Sequence, residues 1–195
     1  AEIDKVGPQG FVALMLACGR AAVDLHLATL LERSVLEHLP AWSGPTTDRH
    51  RLLLLVAPDA VESVHRLAAT VAAQVNDLGP EDLGSGNSVR ELTWNHTTLH
   101  VRAAQPGWTY LQMLLPQPEQ PALDALRARW GDDLLWHLEA VRQQGALRLA
   151  ALPLVRWTGL DRLNALMQDC REVGAVLFNP HVLTVEDGGL GVVDG

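Results

Sequence analysis

Eight histidines are the side chains of this sequence with most to offer chemically, and several stand beside groups that could organise them. His96 and His100 lie four apart in Trp94-Asn-His-Thr-Thr-Leu-His100. On a helix the two imidazoles share a face and could hold a metal ion or a substrate carboxylate; on a strand they stand about 13 Å apart and cannot share an ion. His137 and Glu139 alternate in a run of strand character, which puts both on one sheet face about 7 Å apart. That pair is either a metal-holding or cleft-lining couple or an ordinary solvated sheet face. Asn179-Pro180-His181 follows an apolar run, and the proline ring stiffens the exit so that Asn179 and His181 leave in fixed directions. Glu186 and Asp187 add two carboxylates in the turn that follows. His26, His38, His50 and His65 sit in or beside apparent helices and charged edges and read as structural or exposed. A metalloenzyme built on His96, His100, His137 and His181 would need all four to converge in one coordination sphere.

Other chemistries find little purchase. Gly84-Ser85-Gly86-Asn87 lacks the lysine of a phosphate-binding loop and does not open a helix after a strand. There is no G-x-S-x-G elbow, and neither Cys18 nor Cys170 has a histidine in the expected context, so both read as buried thiols. The chain has 15 Lys and Arg against 23 Asp and Glu, a formal charge of -8, which speaks against a phosphate-tracking surface and hence against nucleic acid. Phe11 to Gly19 is too short to span a bilayer and has no signal-peptide flanks, so a cytoplasmic location without a membrane span is expected. The first residue is Ala1 rather than Met, and the terminal Gly-Gly-Leu-Gly-Val-Val-Asp-Gly reads as an interrupted loop, so a fragment of a longer chain is expected.

The elements that must position these groups follow from hydrophobic periodicity. With 195 residues, 48% hydrophobic and 19% charged, the chain can bury its own core. Phe11–Cys18 reads as a continuous apolar strand, Asp24–Leu39 as a helix, and Leu52–Val56 as a buried strand. Asp59 with Glu62 forms the sequence pattern of a capping box ahead of a helical stripe ending near Val75. A turn-rich loop over 79–88 divides the chain. Residues 91–100 fit strand and helix equally. Trp108–Leu115 reads as a strand, Pro121–Trp130 as a helix, Leu134–Arg142 and Ala146–Leu152 as a hairpin about Gln143-Gln144-Gly145, Thr158–Cys170 as a helix capped by Thr158, and Gly174–Phe178 as a last strand. The order predicts an α+β domain of ferredoxin-like units with an antiparallel sheet and helices on one face, one unit over about 1–79 and one over about 88–195.

Two short motifs carry a resemblance. Thr93-Trp-Asn-His-Thr-Thr-Leu-His100 with Thr109-Tyr-Leu-Gln112, and Phe178-Asn-Pro-His181 with Val185-Glu-Asp-Gly-Gly189, resemble the C-terminal cap domain of FAD-linked oxidases, the glycolate oxidase and D-lactate dehydrogenase relatives of the vanillyl-alcohol oxidase type. Leu30-Leu-Glu-Arg-Ser-Val-Leu36 is similar to the segment that opens that domain, and the likeness spans about Phe11 to Asp194. It implies a substrate domain that covers the flavin bound by an FAD-binding domain of the same polypeptide, acts on a small 2-hydroxy acid, and is inactive alone. Under it, His96 and His181 are the candidate catalytic bases, Trp94, Asn95, Thr97, His100 and Tyr110 face substrate, and Asn179 lies near the flavin. His137 and Glu139 stand outside the family pattern and are nominated as metal ligands by strand geometry alone. The chain lacks the His-Gly-Asp-Gly-Asn-x-His metal run of the D-2-hydroxy acid branch and the family's usual ending near the flavin. The competing expectation is a stand-alone ferredoxin-like binding or assembly module, for which a homodimer is the natural partner.

Overall fold

The computed structural model describes residues 2–3, 7–39, 50–71, 73–75, 92–93 and 95–178. Among them the chain runs β1 (Glu2–Ile3), α1 (Gly7–Arg20), β2 (Leu25–Leu31), α2 (Arg33–Leu36), β3 (His50–Val56), α3 (Val61–Ala69) and β4 (Ala73–Gln74). The second half follows as α4 (Asn95–Ala104), β5 (Trp108–Tyr110), β6 (Gln112–Leu114), α5 (Glu119–Trp130), β7 (Leu134–Leu135), β8 (His137–Gln143), β9 (Ala146–Ala151), β10 (Leu154–Arg156), α6 (Leu160–Glu172) and β11 (Val176–Phe178). The fold is α+β, with every strand pair antiparallel. None of the described helices is long and apolar enough to cross a membrane.

The large sheet has strand order β11-β6-β9-β8-β2-β3-β1-β4. Its two halves have one connectivity. In the first, β1-α1-β2-β3-α3-β4 places its four strands in the order 2-3-1-4; in the second, β6-α5-β8-β9-α6-β11 places its four in the mirror order 4-1-3-2. Each is the β-α-β-β-α-β order of a split β-α-β unit. The halves join at their second strands, where β2 pairs with β8 through Thr29↔Glu139, Leu30↔Leu138 and Leu31↔His137.

Alternation along these strands sorts side chains to two faces. Ala28, Leu30, Leu52, Leu138 and Leu149 face one side and share a core with Phe11, Leu14, Met15 and Cys18 of α1, Leu123 and Leu126 of α5, and Leu163 and Leu166 of α6. The three longest helices therefore cover one face. The shorter α2 and α4 depart from the expected one-sided packing, because Val35, Leu36 and Val101 join Leu31 and Leu53 in a second cluster on the opposite face. A small sheet, β5-β10-β7, stands at one end. Three segments feed both sheets, bending at buried Leu111, Trp136 and Leu152. The single strands expected over Trp108–Leu115 and Leu134–Arg142 are each broken there, as in strands that turn a corner between crossed sheets.

Several local expectations are overturned. Phe11–Cys18 is the heart of α1, not a strand; Phe11, Leu14, Met15 and Cys18 recur at helical spacing, and the apolar residues between them masked that stripe. Asp24–Leu39 is β2 followed by one turn of helix, because pairing to strands on both sides outweighs the helix propensity of a leucine-rich run. The Asp59 capping box does not form: Pro58–Ala60 is a 3-10 turn leading into α3, with no side-chain cap bond. Thr158 is not a cap either, since α6 starts from Gly159. The hairpin is as expected, and its turn is tight, with Gln144 at φ 49 and Gly145 at φ 80, the pair of positive φ values that a two-residue primed turn demands.

Candidate functional site

Register places a polar group at the seam between the halves. Thr29 lies opposite Glu139, and His137 is two residues along the same strand on the same face. The Thr29 hydroxyl donates to Glu139 Oε2 at 2.5 Å, and His137 Nε2 donates to Glu139 Oε1 at 2.6 Å. All three are buried, at 0%, 1% and 0% exposure for Thr29, Glu139 and His137. With its proton engaged at Nε2, the imidazole presents Nδ1 as an acceptor, and that atom is buried with no hydrogen-bond partner. A carboxylate that holds one ring nitrogen fixes the tautomer and orientation of the other, the arrangement used both for metal-bound histidines and for histidine bases. Among the described residues no three His, Cys, Asp or Glu side chains converge where a metal ion could sit, so this pair has no third ligand there.

Along the same face the surroundings change from covered to open. Arg51, Leu53 and Leu31 are buried near the pair, whereas Leu55 is 48% exposed and Val176 at the far edge 50% exposed. Between them, Gln112, Leu114, Val141, Ala150 and Phe178 line a groove of about 430 Å³. Phe178 is also the first residue of the Phe-Asn-Pro-His motif.

The remaining candidates are distributed. Residues 95–104 are helical, which places His96 and His100 on one face of α4; His96 is exposed and His100 half-buried, while Thr97, Thr98 and Val101 take the buried side. Thr97 donates its hydroxyl to the Leu92 carbonyl at 2.5 Å and is fully buried, so it ties α4 to the chain before it. Asn95 opens α4, and Tyr110 ends β5 opposite Leu154, half-buried. Trp94, Asn179 and His181 lie outside the described residues. Cys18 and Cys170 are buried in the main core, and burial pushes both thiols up, Cys170 to about 12.

A second charged group stands where β2 ends. Arg127 of α5 pairs with Glu32, which is 8% exposed, and its guanidinium also lies 5.7 Å from the Trp136 ring. Burial raises the Glu32 pKa and Arg127 works against that rise. His50 Nδ1 accepts the Arg33 backbone N–H at 3.1 Å; burial, then the positive charges of Arg127 and Arg33, lower its pKa. Neither Thr29 nor Arg127 was legible as a partner from sequence, since each contact depends on register or on packing across about a hundred residues. No protein-family model matches the chain, and no curated protein matches it.

Proposed function

We propose that this chain is the cap, or substrate domain, of a FAD-dependent oxidoreductase that oxidises a small 2-hydroxy acid of the glycolate or D-lactate type, working against an FAD-binding domain of the same polypeptide. The observation that carries the reading is the large sheet itself. Two β-α-β-β-α-β units share it, the long helices fill one side, and part of the other side is left with half-exposed apolar residues around a groove that includes the first residue of a cap-domain motif. Such a face suits the edge of a flat ring system and a small substrate. The sequence carries no glycine-rich diphosphate loop, so the diphosphate of FAD falls to the partner domain. FAD, when bound, supplies the hydride acceptor.

The chain's own part is to orient the hydroxy acid, exclude water and take the hydroxyl proton. His96 and His181 are the bases nominated by the motifs. His96 is exposed on α4 and so accessible, whereas Thr97 serves the fold rather than the substrate. His137 and Glu139 form a bonded pair in the sheet below, without a third ligand among the described residues, so a metal role is not part of the proposal.

The test is expression of the chain alone and fused to the FAD-binding portion of its reading frame. The chain alone should be colourless near 450 nm and inert to glycolate and D-lactate; the fused protein should be yellow and bleach when one of them is added under exclusion of air. A fused protein that binds no flavin, or a chain that forms a stable homodimer through the open face with no flavin-binding portion encoded beside it, would replace this reading with that of an assembly module.

A further inference from the structure

We infer that the cleft at the end of the seam, on the helix-covered side, is a binding site for an organic carboxylate carrying an apolar chain. Three observations converge on it. The first is strand divergence. β2 pairs with β3 from Leu25 onward and β8 with β9 as far as Gln143, but β2 and β8 pair with each other only from Leu31/His137 to Thr29/Glu139. Beyond that rung, 25–28 and 140–143 face each other without a ladder among the described residues, and the space between them, closed below by the last turns of α1, is about 630 Å³. That volume lies within the range of small-molecule sites.

The second is a bulge. Leu25 opposes Val56 and Leu27 opposes Leu55, so His26 is the extra residue, and it lines the cleft. Bulges bend and twist a strand and re-aim side chains, and they recur beside sites. The third is charge. The lining contains Arg20, Arg142 and His26 and not one carboxylate, in a chain of net charge -8. Arg20 and Arg142 form no ion pair among the described residues, a condition they share with Arg102, Arg148 and Arg171, and of these five only Arg20 and Arg142 line the cleft. His26 lies 3.9 Å from Asp24 at the exposed rim. Met15, Val23, Leu25 and Leu147 supply apolar walls. Two guanidiniums from opposite halves, in a cleft whose lining mixes polar groups with these apolar side chains, fit an anionic head and a hydrocarbon body.

The probe is octanoate, titrated calorimetrically into the 195-residue chain, with octanol and acetate as the uncharged and the tail-less comparisons. Octanoate should bind at least about tenfold more tightly than either, and R20Q and R142Q should each weaken it about three- to tenfold, as expected for a partly exposed guanidinium–carboxylate pair. Both arginines are exposed, so these variants should keep the parent circular-dichroism spectrum and melting temperature. L55S, on the open sheet face, should leave octanoate affinity unchanged. Equal binding of octanol and octanoate, full affinity in the R20Q/R142Q double variant, or loss of binding in L55S would overturn the site. None of these readouts involves flavin, so their outcome is independent of the proposed oxidoreductase role.

Discussion

The two faces of the eight-stranded sheet are built from the same alternating strands yet solve different problems. On the helix side, Phe11, Leu14, Leu30, Leu52, Leu138, Leu149 and Leu166 are all at 0% exposure and belong to one apolar cluster shared by the two halves. On the other side the same rungs of β2 and β8 carry Thr29, Glu139 and His137, a bonded polar group sealed from water, and farther out the apolar residues are half-exposed. A sheet needing only stability would use leucine on both faces of its central rung, since buried polar groups give little net stabilisation even when fully bonded. The polar rung is what sets this face apart, and the covered face is the apolar platform on the other side of the same strands.

The largest effect should come from breaking the platform. Phe11→Ala removes a fully buried ring where α1 crosses the sheet and should cost about 3–5 kcal/mol in urea unfolding, with little change in the denaturant slope. Next comes Glu139→Leu, which takes the acceptor from the buried Thr29 hydroxyl and His137 N–H; at least about 2–4 kcal/mol is expected for these two donors. The triple change Thr29→Val, Glu139→Leu and His137→Leu removes these two donors together with their acceptor and should recover the part of the loss that they cause. If the triple variant is as unstable as Glu139→Leu, the polar rung is part of the platform and the contrast between the faces fails.

How much of this could be read from the sequence divides along the same line. The hairpin about Gln144-Gly145, the Leu52–Val56 strand, α5, α6 and the α+β class rest on local pattern, turn chemistry and order, which a sequence displays directly. Phe11–Cys18 and Asp24–Leu39 were misread in opposite senses for one reason: both are so rich in leucine, alanine and valine that period 2 and period 3.6 fit equally, and only the packing partner chooses. The same-face placement of His137 and Glu139 was legible because strand period alone sets it. Their bond to Thr29 was not, because it needs the β2–β8 register across 110 residues. The bends at Leu111 and Trp136 carry no proline or glycine to announce them.

The charged group at the end of β2 offers a smaller and pH-dependent way to sharpen the contrast. The pKa of His50 is lowered in the folded chain, so the stability it contributes is present above the unfolded value near 6.5 and is lost as pH falls through the lower folded value. Glu32 runs the other way: its raised pKa contributes stability below the unfolded value near 4.5 that is lost as pH rises through the folded value. As pH falls below about 7 the His50 contribution lowers the unfolding midpoint while that of Glu32 raises it, and His50→Asn, which keeps an acceptor for the Arg33 N–H, should remove the His50 part, so the variant should lose less stability than the parent over this range. Arg127→Met should shrink the His50 part too, because one of the charges that depress His50 is gone, while lowering stability at pH 7, where Glu32 loses its partner.

The smallest effect on folding belongs to the open face, and it separates an unfinished surface from one that awaits a partner. Leu55→Ser replaces a side chain that is 48% exposed on β3, and its effect on unfolding should stay within about 0.5 kcal/mol. The same substitution removes an apolar contact from any domain laid over the sheet. On the proposed reading, in a protein that carries this chain with an FAD-binding portion, it should weaken association between the two parts, read as flavin fluorescence regained or as faster proteolysis between them, with the melting temperature of the 195-residue chain unchanged. A change in stability with no change in association would make Leu55 part of the fold's own core and would close the open face as a docking surface; a change in association alone assigns the two faces their separate duties.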